Sequence, residues 1–289
     1  MQRFVTALTC GFCMVAAFLS AEETPRGHLV LNGGGFKPDV VMEKFIALAG
    51  GPDASIIVFP TASEESDTGE YYVTLFSSYG SENVVEAAVH SKEDAGDLKL
   101  ARMVRKAGGI WFSGGDQRRI TKTLLDTPVG GAIREAYEHG AVVGGTSAGT
   151  ACQSPLMITG DGDFTVINAD NVELWEGFGF FDGVIVDQHF VARRRHNRLV
   201  SVVLENPKLL GVGVDEATAV WVRPDGTFEV LGDGWVVVYD ASQATITRSR
   251  HNRLGKPLGV HGLITHVLLP GDVFDVQKRA VVDDPGEKR

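Results

Sequence analysis

Cysteine is scarce in this chain of 289 residues: there are three, and Cys10 and Cys13 both lie in an apolar segment at the N-terminus. If that segment is removed, Cys152 is the only cysteine left, which excludes an internal disulfide. The mature chain must then be stable through its hydrophobic core, even in an oxidising compartment. Cys152 closely follows a glycine-rich turn and is predicted to be a small, buried apolar side chain.

Long basic blocks are also absent. The formal charge is −10, from 37 Asp and Glu against 27 Lys and Arg, and the aromatic residues are not interleaved with the basic ones. This pattern argues against nucleic acid as a partner. The acidic balance is compatible with a cationic substrate, although net charge bears mainly on solubility and steering.

The sequence lacks the motifs of metal and nucleotide sites. It has no paired-histidine zinc helix and no cysteine cluster, and Asp161-Gly-Asp163 is too short for a calcium loop. The run Asn32-Gly-Gly-Gly35 lacks the Gly-Lys-Ser/Thr ending of a phosphate loop and the spacing of a dinucleotide fingerprint. We therefore expect no metal and no cofactor, and we interpret the glycine run as close backbone packing near a site.

The N-terminal segment has the pattern of a secretory signal peptide. Arg3 supplies a positive charge, residues 4–19 are mostly apolar, and small residues up to Ala21 precede Glu22. A retained membrane anchor and a disordered start are the alternatives. The apolar segment is shorter than the ~20 residues that a spanning helix needs, and no stop-transfer charges follow it. The sequence therefore predicts a signal peptide over residues 1–21, a secreted or periplasmic protein and no stable membrane anchor.

From residue 27 onward the pattern predicts an α/β fold. Hydrophobic residues make up 44% of the chain, which is enough for a full core. Strand and helix patterns alternate up to about residue 216, which predicts a mostly parallel sheet covered by helices on both faces. The predicted strands are residues 28–31, 55–59, 84–89, 109–112, 141–143, 183–186 and 210–214, and the predicted helices are residues 40–49, 68–78, 95–106, 117–125 and 131–139.

The sequence pattern changes after residue 216, where no further helix is predicted. Three β-rich runs, at residues 219–222, 228–231 and 235–239, are separated by Pro-Asp-Gly and Gly-Asp-Gly turns that are typical of antiparallel hairpins. We expect these hairpins to extend the sheet or to pack on its edge, so that residues 27–289 form a single domain. Residues 154–182 are predicted to be an irregular loop.

Residues 141–150 join a short apolar run to a serine, Ser147, that lies among small residues. A strand that turns sharply into a helix holds its turn residue in a strained conformation, and only small neighbours such as Gly145 and Gly149 leave room for it. The hydroxyl then projects from the carboxyl edge of the sheet, where the amide of Ala148 can help to stabilise an oxyanion. Ser147 is thus a candidate nucleophile, and a serine that merely caps the following helix is the alternative.

Sites in such folds gather at the carboxyl ends of the strands. The run Ser113-Gly-Gly-Asp-Gln117 follows the strand at residues 109–112, and its glycine amides can face the carbonyl oxygen of a substrate. The alternative is a helix N-cap, with Asp116 accepting from the first turn, and both functions can coexist.

A base and its partner can be placed at the same edge. His189 lies just beyond the strand at residues 183–186, where it can form a pair with Ser147. Glu216, with Asp215 as the fallback, follows another strand and can hold the tautomer of that histidine and stabilise its cation.

An arginine-rich run follows His189. On a helix that starts near Ala192, Arg194 is predicted to lie with His196 on a solvated face. Arg195 and Arg198 are three residues apart and share a face, so if one points at the cleft the other can follow. Their planar guanidinium groups can bind a carboxylate through two hydrogen bonds.

Four motifs together carry a resemblance to a known family: Gly-Gly-Asp-Gln117, Gly-Gly-Thr-Ser-Ala-Gly149, Asp-Gln-His-Phe190 with its trailing arginines, and Val-Asp-Glu216. Across most of the mature chain the sequence resembles the cyanophycinase family of serine peptidases. The resemblance implies a three-layer α/β/α fold similar to that of aspartyl dipeptidases and class I glutamine amidotransferases, with serine where the latter use cysteine. The order Ser, His, Glu supports this group, because esterases of the α/β-hydrolase fold have the order Ser, Asp/Glu, His.

The resemblance implies a role for each matching position. Ser147 would be the nucleophile, His189 the general base and acid, and Glu216 the third member of the triad, with oxyanion amides from Gly115 and Ala148. Further positions implied to lie near the substrate are Gln117, Asp187, Gln188, Arg193, Arg195 and Arg198. The implied substrate is cyanophycin, a poly-aspartate with arginine on each side-chain carboxyl, hydrolysed to β-aspartyl-arginine dipeptides.

Two departures from the family pattern bear on the substrate. Thr150-Ala-Cys-Gln153 replaces an alanine-rich continuation, and Thr165 occupies the region where an acid is expected to bind the substrate arginine. These departures concern the polymer substrate and not hydrolysis. The first alternative is an aspartyl or isoaspartyl dipeptidase of the same fold, and the second is a non-catalytic binding protein on this scaffold. A homodimer is implied by the resemblance alone.

Overall fold

The computed structural model describes residues 27–249 and 255–282. The predicted signal peptide lies outside these described residues. The strands, in chain order, are β1 (Leu29–Asn32), β2 (Ile56–Phe59), β3 (Val84–Glu86), β4 (Gly109–Phe112), β5 (Val142–Thr146), β6 (Leu156–Gly162), β7 (Val172–Glu176), β8 (Val184–Gln188), β9 (Leu210–Val214), β10 (Thr218–Val222), β11 (Thr227–Gly232), β12 (Val236–Asp240), β13 (Thr245–Arg248), β14 (Leu258–His261), β15 (Ile264–Leu268), β16 (Val273–Asp275) and β17 (Ala280–Val282). The helices are α1 (Asp39–Ala49), α2 (Thr68–Ser78), α3 (Leu98–Val104), α4 (Gln117–Leu124), α5 (Pro128–Glu138), α6 (Ala148–Ala151) and α7 (His196–Glu205), with a 3₁₀ turn at Asp94–Gly96.

The predicted α/β fold is confirmed. The main sheet contains nine strands in the order β17-β16-β11-β10-β1-β5-β4-β2-β3. From β1 to β3 in that order the strands pair in parallel. Strands β1, β2 and β4 are buried along their whole length and mostly apolar, as strands covered on both faces are, whereas the edge strand β3 is largely exposed. Beyond β1, strands β10, β11, β16 and β17 pair antiparallel. Two of the three predicted β-rich runs, β10 and β11, thus extend the main sheet, whereas the third, β12, pairs antiparallel with β9 in a second sheet. No helix in the described part of the chain has the length and apolar character needed to cross a membrane.

Helices cover both faces of the main sheet. On one face, Val41, Met42 and Phe45 of α1 pack with strand residues such as Trp111. On the other face, buried residues of α3, α4 and α5 pack with strand residues such as Phe112. The period of these helices places their apolar residues on one side, which fixes how each helix lies on the sheet.

Strands β8 and β9 do not join the main sheet, although the sequence predicted one central sheet. They pair in parallel in a second sheet of four strands, β15-β12-β9-β8. Strand β1 pairs with β5 on one side and with β10 on the other, so no position beside β1 is left for β8 and β9. Alternate residues of β8 pack on opposite faces of the second sheet. Val184 and Val186 pack in the core of the main sheet, whereas Ile185 packs in the hydrophobic cluster that includes α7.

The prediction of an irregular loop over residues 154–182 is wrong. This stretch contains a hairpin in which β6 pairs antiparallel with β7. The register shifts between Ile158 and Gly162, and Gly160 and Gly162 both have positive φ angles. Because this irregularity breaks the period-2 pattern, the strands are not evident in the sequence.

Candidate active site

Ser147 lies in a strained turn between β5 and α6, with φ 54° and ψ −107°. The turn is tightly packed: a Cβ atom on Gly145 would lie 2.7 Å from the carbonyl carbon of Gly149, and one on Gly149 would lie 2.4 Å from the Phe112 oxygen. The Ser147 hydroxyl makes no hydrogen bond that caps α6, so the helix-cap alternative is not observed. The hydroxyl instead faces the end of β8.

The structure brings Ser147, His189 and Glu216 together in one row. The Ser147 Oγ lies 2.9 Å from His189 Nε2, and His189 Nδ1 lies 2.5 Å from Glu216 Oε1. His189 is buried, whereas the Glu216 side chain is 40% exposed. A hydroxyl, an imidazole and a carboxylate at these distances form the hydrogen-bonded relay that activates a serine nucleophile.

The fallback acid, Asp215, has a different place. Its Oδ1 accepts hydrogen bonds from the amides of Val191 and Ala192, at 3.1 and 2.9 Å. These amides belong to the turn that follows His189, which itself has a positive φ of 50°. Asp215 therefore fixes the loop that carries the histidine, and of these two acids Glu216 is the one that bonds to the ring.

The glycine run after β1 packs against this histidine, as the sequence predicted. A Cβ atom on Gly34, which has a φ of +122°, would lie 2.2 Å from His189 Cε1. The amide of His189 also donates to the carbonyl of Gly33 at 2.8 Å. The absence of a side chain at Gly34 thus leaves the space in which the imidazole reaches Ser147.

Asn32 connects the nucleophile turn to this glycine run, and the sequence did not single it out. Its fully buried Oδ1 accepts from the Gly34 amide at 2.9 Å and from the Thr146 hydroxyl at 2.8 Å. Its backbone carbonyl accepts from the Ser147 amide at 3.0 Å and from the Thr150 hydroxyl at 2.6 Å. The available signal was a polar residue at the end of an apolar strand. Thr150, a departure from the family pattern, belongs to this network.

The two amides predicted to bind an oxyanion belong to Gly115 and Ala148. Ala148 directly follows Ser147, and Gly114, next to Gly115, lies against Ser147, since a Cβ there would be 3.6 Å from the serine Cβ. Gly115 has a φ of +138°, and a Cβ on it would lie 2.1 Å from the Ala62 oxygen. Within the described residues the N–H groups of Gly115 and Ala148 donate no hydrogen bond, so both are free to bind a developing negative charge. Asp116 also caps α4, as the alternative proposed.

The polar residues predicted near the substrate divide into two groups. The members of the first group are buried and bond to other residues of the protein. Arg198 Nε donates to Asp187 Oδ2 at 2.7 Å, its Nη2 bonds to Asp187 Oδ1, and both side chains are fully buried. Phe164 lies over the guanidinium at 4.7 Å. The structure therefore does not place Asp187 or Arg198 among the residues that can touch a substrate. Gln117 is also buried and donates to the Ile158 carbonyl at 2.7 Å, which ties α4 to β6.

The second group lies nearer to the triad. Arg195 donates from Nη1 to the backbone and side-chain oxygens of Gln188, both at 2.6 Å, and its Nε has no partner among the described residues. Burial, followed by the nearby charge of Arg198, lowers the pKa of Arg195 to about 10. Arg193 is 54% exposed, and its Nε lies 4.0 Å from Glu216 Oε1. Arg193 is thus an exposed cation beside Glu216, whereas the Arg195 side chain is only 10% exposed.

The arginine run is not helical where the sequence predicted a helix. Helix α7 begins at His196 rather than near Ala192, and Arg194 has a positive φ of 55°. His196 does not lie on a solvated face: it is half-buried, and its Nδ1 lies 2.8 Å from the Tyr239 hydroxyl. The chain turns here because Asp215 binds the amides after His189, which leaves those residues outside the helix.

Burial favours the neutral form of His189. Burial lowers the pKa of His189 below its ordinary value of 6.5; the hydrogen bond to Glu216 raises it again in part, and the charge of Arg193 lowers it. A neutral imidazole is the form that can accept the serine proton. Burial also raises the pKa of Cys152, in keeping with its predicted place as a buried apolar side chain.

We expect the acid limb of the pH profile of kcat/KM to have its midpoint below pH 6.5, because protonation of His189 removes the base and its pKa is lowered. Replacing Glu216 by glutamine removes a contribution that raises this pKa, so the midpoint should fall further. Arg193→Gln removes a contribution that lowers it, so the midpoint should rise. Initial rates across the pH range for the three proteins test both directions; shifts of the opposite sign would contradict this assignment.

A serine that follows a strand of the main sheet, hydrogen-bonded to a histidine and through it to a carboxylate that follow strands of the second sheet, is the arrangement of a serine hydrolase. No group of His, Cys, Asp and Glu side chains able to hold a metal occurs in the described ranges. The profile of peptidase family S51 matches residues 29–230, more than half of the chain. The chain therefore belongs to peptidase family S51, and it is a serine peptidase.

Relatives agree with this assignment. The chain is 36% identical over 265 residues to a cyanophycinase from Trichormus variabilis, covering 90% of this chain and 89% of that protein. It is 35% identical over 270 residues to a cyanophycinase from Thermosynechococcus vestitus, covering 93% of this chain and 80% of that one. The resemblance to the cyanophycinase family is thus confirmed.

Solved structures share the fold. A peptidase from an acI-B1 Actinobacterium superposes with a TM-score of 0.63 at 23% identity, over 85% of this chain and 98% of that one. A putative peptidase E protein from Listeria monocytogenes superposes with a TM-score of 0.51 at 18% identity, over 72% of this chain and 98% of that one. At these identities the similarity concerns the fold.

Proposed function

We propose that this protein is a serine exopeptidase that hydrolyses cyanophycin to β-aspartyl-arginine dipeptides through an acyl-enzyme on Ser147. The observation that carries the proposal is the row Ser147, His189 and Glu216, with its two distances of 2.9 and 2.5 Å. The substrate rests on the curated relatives, which are cyanophycinases at 35–36% identity over most of the chain.

The mechanism follows from this geometry. His189 Nε2 takes the proton of the Ser147 hydroxyl as Oγ attacks the scissile carbonyl carbon, and Glu216 stabilises the imidazolium that forms. The carbonyl oxygen becomes an oxyanion facing the free amides of Gly115 and Ala148. Collapse of this intermediate breaks the C–N bond, and His189 returns the proton to the leaving amine. Water, deprotonated by His189, then attacks the ester and releases Ser147.

The residues proposed to contact the substrate are Arg193, which is exposed, and Arg195, whose side chain is 10% exposed and whose Nε has no partner among the described residues. Cyanophycin carries arginines whose α-carboxylates are free, and the guanidinium groups of Arg193 and Arg195 are placed to receive a carboxylate. Asp187 and Arg198 would support Gln188 and Arg195 from beneath, since Arg195 Nη1 also lies 3.7 Å from Asp187 Oδ1. We assign these two a positioning role.

The two alternatives have less support. A binding protein on this scaffold has no need of a strained serine, a buried histidine and a carboxylate at bonding distances. A dipeptidase with another linkage preference would use the same triad, so only the substrate separates it from the proposed function. No observation favours either alternative.

The proposed function is tested by incubating the purified protein with insoluble cyanophycin and following the release of soluble dipeptide. We expect β-aspartyl-arginine as the product. An intact polymer together with cleavage of short aspartyl or isoaspartyl dipeptides would replace the proposed substrate by the first alternative. No hydrolysis of either substrate would support the second.

We further propose export across a membrane, on the strength of the apolar pattern of residues 1–21. Expression with the native N-terminus should yield a periplasmic or secreted protein that begins at Glu22 when its N-terminal sequence is determined. A protein in the cytoplasm that retains Met1 would contradict this.

A further inference from the structure

Lys37 lies in the loop between β1 and α1, next to the glycine run that contacts the triad. Its Nζ donates to the Gly35 carbonyl at 3.3 Å. Gly35 in turn lies against the triad acid, because a Cβ atom on it would be 3.3 Å from Glu216 Cβ and from Glu216 Oε2. On this side, one residue separates the ammonium group from the triad.

On its other side, Lys37 contacts two tyrosine rings, one of which lies close to the turn that carries Ser147. Lys37 Nζ lies 5.5 Å from the centroid of the Tyr72 ring and 5.7 Å from that of Tyr71. The buried hydroxyl of Tyr72 lies next to the amide of Gly114, and a Cβ on Gly114 would be 3.6 Å from Ser147 Cβ. Gly35 therefore links the ammonium group to the triad acid on one side, and Tyr72 links it to Gly114, beside Ser147, on the other.

The charge of Lys37 is not neutralised within the described residues. None of the ion pairs found there includes it. The acid nearest in sequence, Asp39, accepts a hydrogen bond from the Tyr79 hydroxyl at 2.6 Å. Burial accordingly lowers the pKa of Lys37. An ammonium has three N–H donors, and within the described residues Lys37 donates one hydrogen bond, to the Gly35 carbonyl, so two donors are left for an anion.

The surroundings of Lys37 are open on one side. Phe36 is 68% exposed and Tyr71 is 52% exposed, so two aromatic side chains and the ammonium form a surface beside the triad. A cation on such a surface attracts a carboxylate and repels a guanidinium. It therefore discriminates between the two charged groups on each arginine arm of the proposed substrate.

We propose that Lys37 binds a free carboxylate of the substrate, in addition to Arg193 and Arg195, and that it determines specificity for substrates that carry this carboxylate. This inference rests on the proposed function, because cyanophycin supplies such carboxylates on its arginines. A structural role, in which Lys37 only holds the two tyrosines, is the competing explanation.

The test compares two short, soluble β-aspartyl-arginine oligomers, one with free arginine carboxylates and one in which they are amidated. Lys37→Met keeps the aliphatic stem on the tyrosine rings and removes the charge. We expect it to raise KM for the free-carboxylate oligomer about tenfold with little change in kcat, as for loss of one charge-assisted hydrogen bond. For the amidated oligomer the variant and the wild type should have the same KM.

Two further variants complete the design. Lys37→Arg retains the charge and should restore most of the affinity. Lys44→Met is the matched control, because Lys44 on α1 also lies over an aromatic ring, with its Nζ 3.9 Å from the centroid of the Trp221 ring on β10, and touches none of the triad residues. This variant should leave both KM values unchanged. Melting temperatures of all variants show whether the fold is kept.

Two results would overturn the inference: a Lys37→Met enzyme with wild-type KM on the free-carboxylate oligomer, or equal losses on both oligomers. Either would leave the proposed function standing, since the wild type would still cleave the oligomers. A wild-type enzyme that cleaves neither oligomer would overturn the proposed substrate and, with it, this use of Lys37.

Discussion

Ser147→Ala is expected to lower kcat on cyanophycin by ~10³-fold or more, because it removes the atom that forms the acyl-enzyme. The fold should be unchanged. The turn at φ 54° is fixed by backbone packing and by the Asn32 carbonyl, neither of which involves the Ser147 hydroxyl. Initial rates of dipeptide release, with melting temperatures measured in parallel, check both statements.

The same assay separates catalysis from general damage. His189→Ala should cause a comparable loss, and the double variant should be little worse than either single one, since residues that act as a unit are not additive. Ser78→Ala is a matched control, because that exposed hydroxyl bonds only to the Leu75 carbonyl on α2. A Ser147→Ala enzyme with the wild-type rate would reject Ser147 as the nucleophile.

Asp187→Ala is expected to destabilise the protein by about 3–5 kcal/mol, the usual cost of leaving one charge of a buried ion pair uncompensated. The guanidinium of Arg198 is fully buried, and Asp187 is its carboxylate partner. Chemical unfolding of the wild type and the variant measures the difference. Stability should fall more than for the loss of an exposed pair such as Arg105 with Glu135.

The double variant Asp187→Leu with Arg198→Met shows whether the pair matters for stability or for positioning. Replacing both charges by apolar groups of similar size should restore most of the stability. If the pair positions Gln188 and Arg195, as proposed, KM of this double variant should still be raised. A wild-type KM in the double variant would contradict the positioning role of Asp187 and Arg198. An Asp187→Ala protein as stable as the wild type would contradict the stabilising effect expected of the buried ion pair.

The catalytic row was predictable because each of its residues follows a regular strand. In a parallel sheet such positions converge at one edge whatever the details of packing, so Ser147, His189 and Glu216 could be brought together from the sequence. This holds even though β8 and β9 belong to the second sheet. Hydrogen bonds join β8 to the main sheet's side of the site: the Val186 amide donates to the Ser154 hydroxyl and the His189 amide donates to the Gly33 carbonyl, both at 2.8 Å.

The arginine run shows why other parts were not predictable. Which guanidinium points inward depends on where α7 begins, and a start at His196 instead of Ala192 changes the direction of every side chain before it. That start is set by Asp215, a distant residue whose hydrogen bonds leave no local pattern. Asn32 and Lys37 were missed for a similar reason, since their contacts depend on tertiary packing.

The central claim is that hydrolysis of cyanophycin passes through an ester on Ser147. The most direct measurement is mass spectrometry of the enzyme quenched in acid during turnover, followed by mapping of any adduct to its peptide. We predict an aspartyl-containing acyl group on the peptide that holds Ser147 in the wild type, and none in Ser147→Ala. Rapid turnover with an adduct on another residue, or undiminished turnover in Ser147→Ala, would contradict the claim.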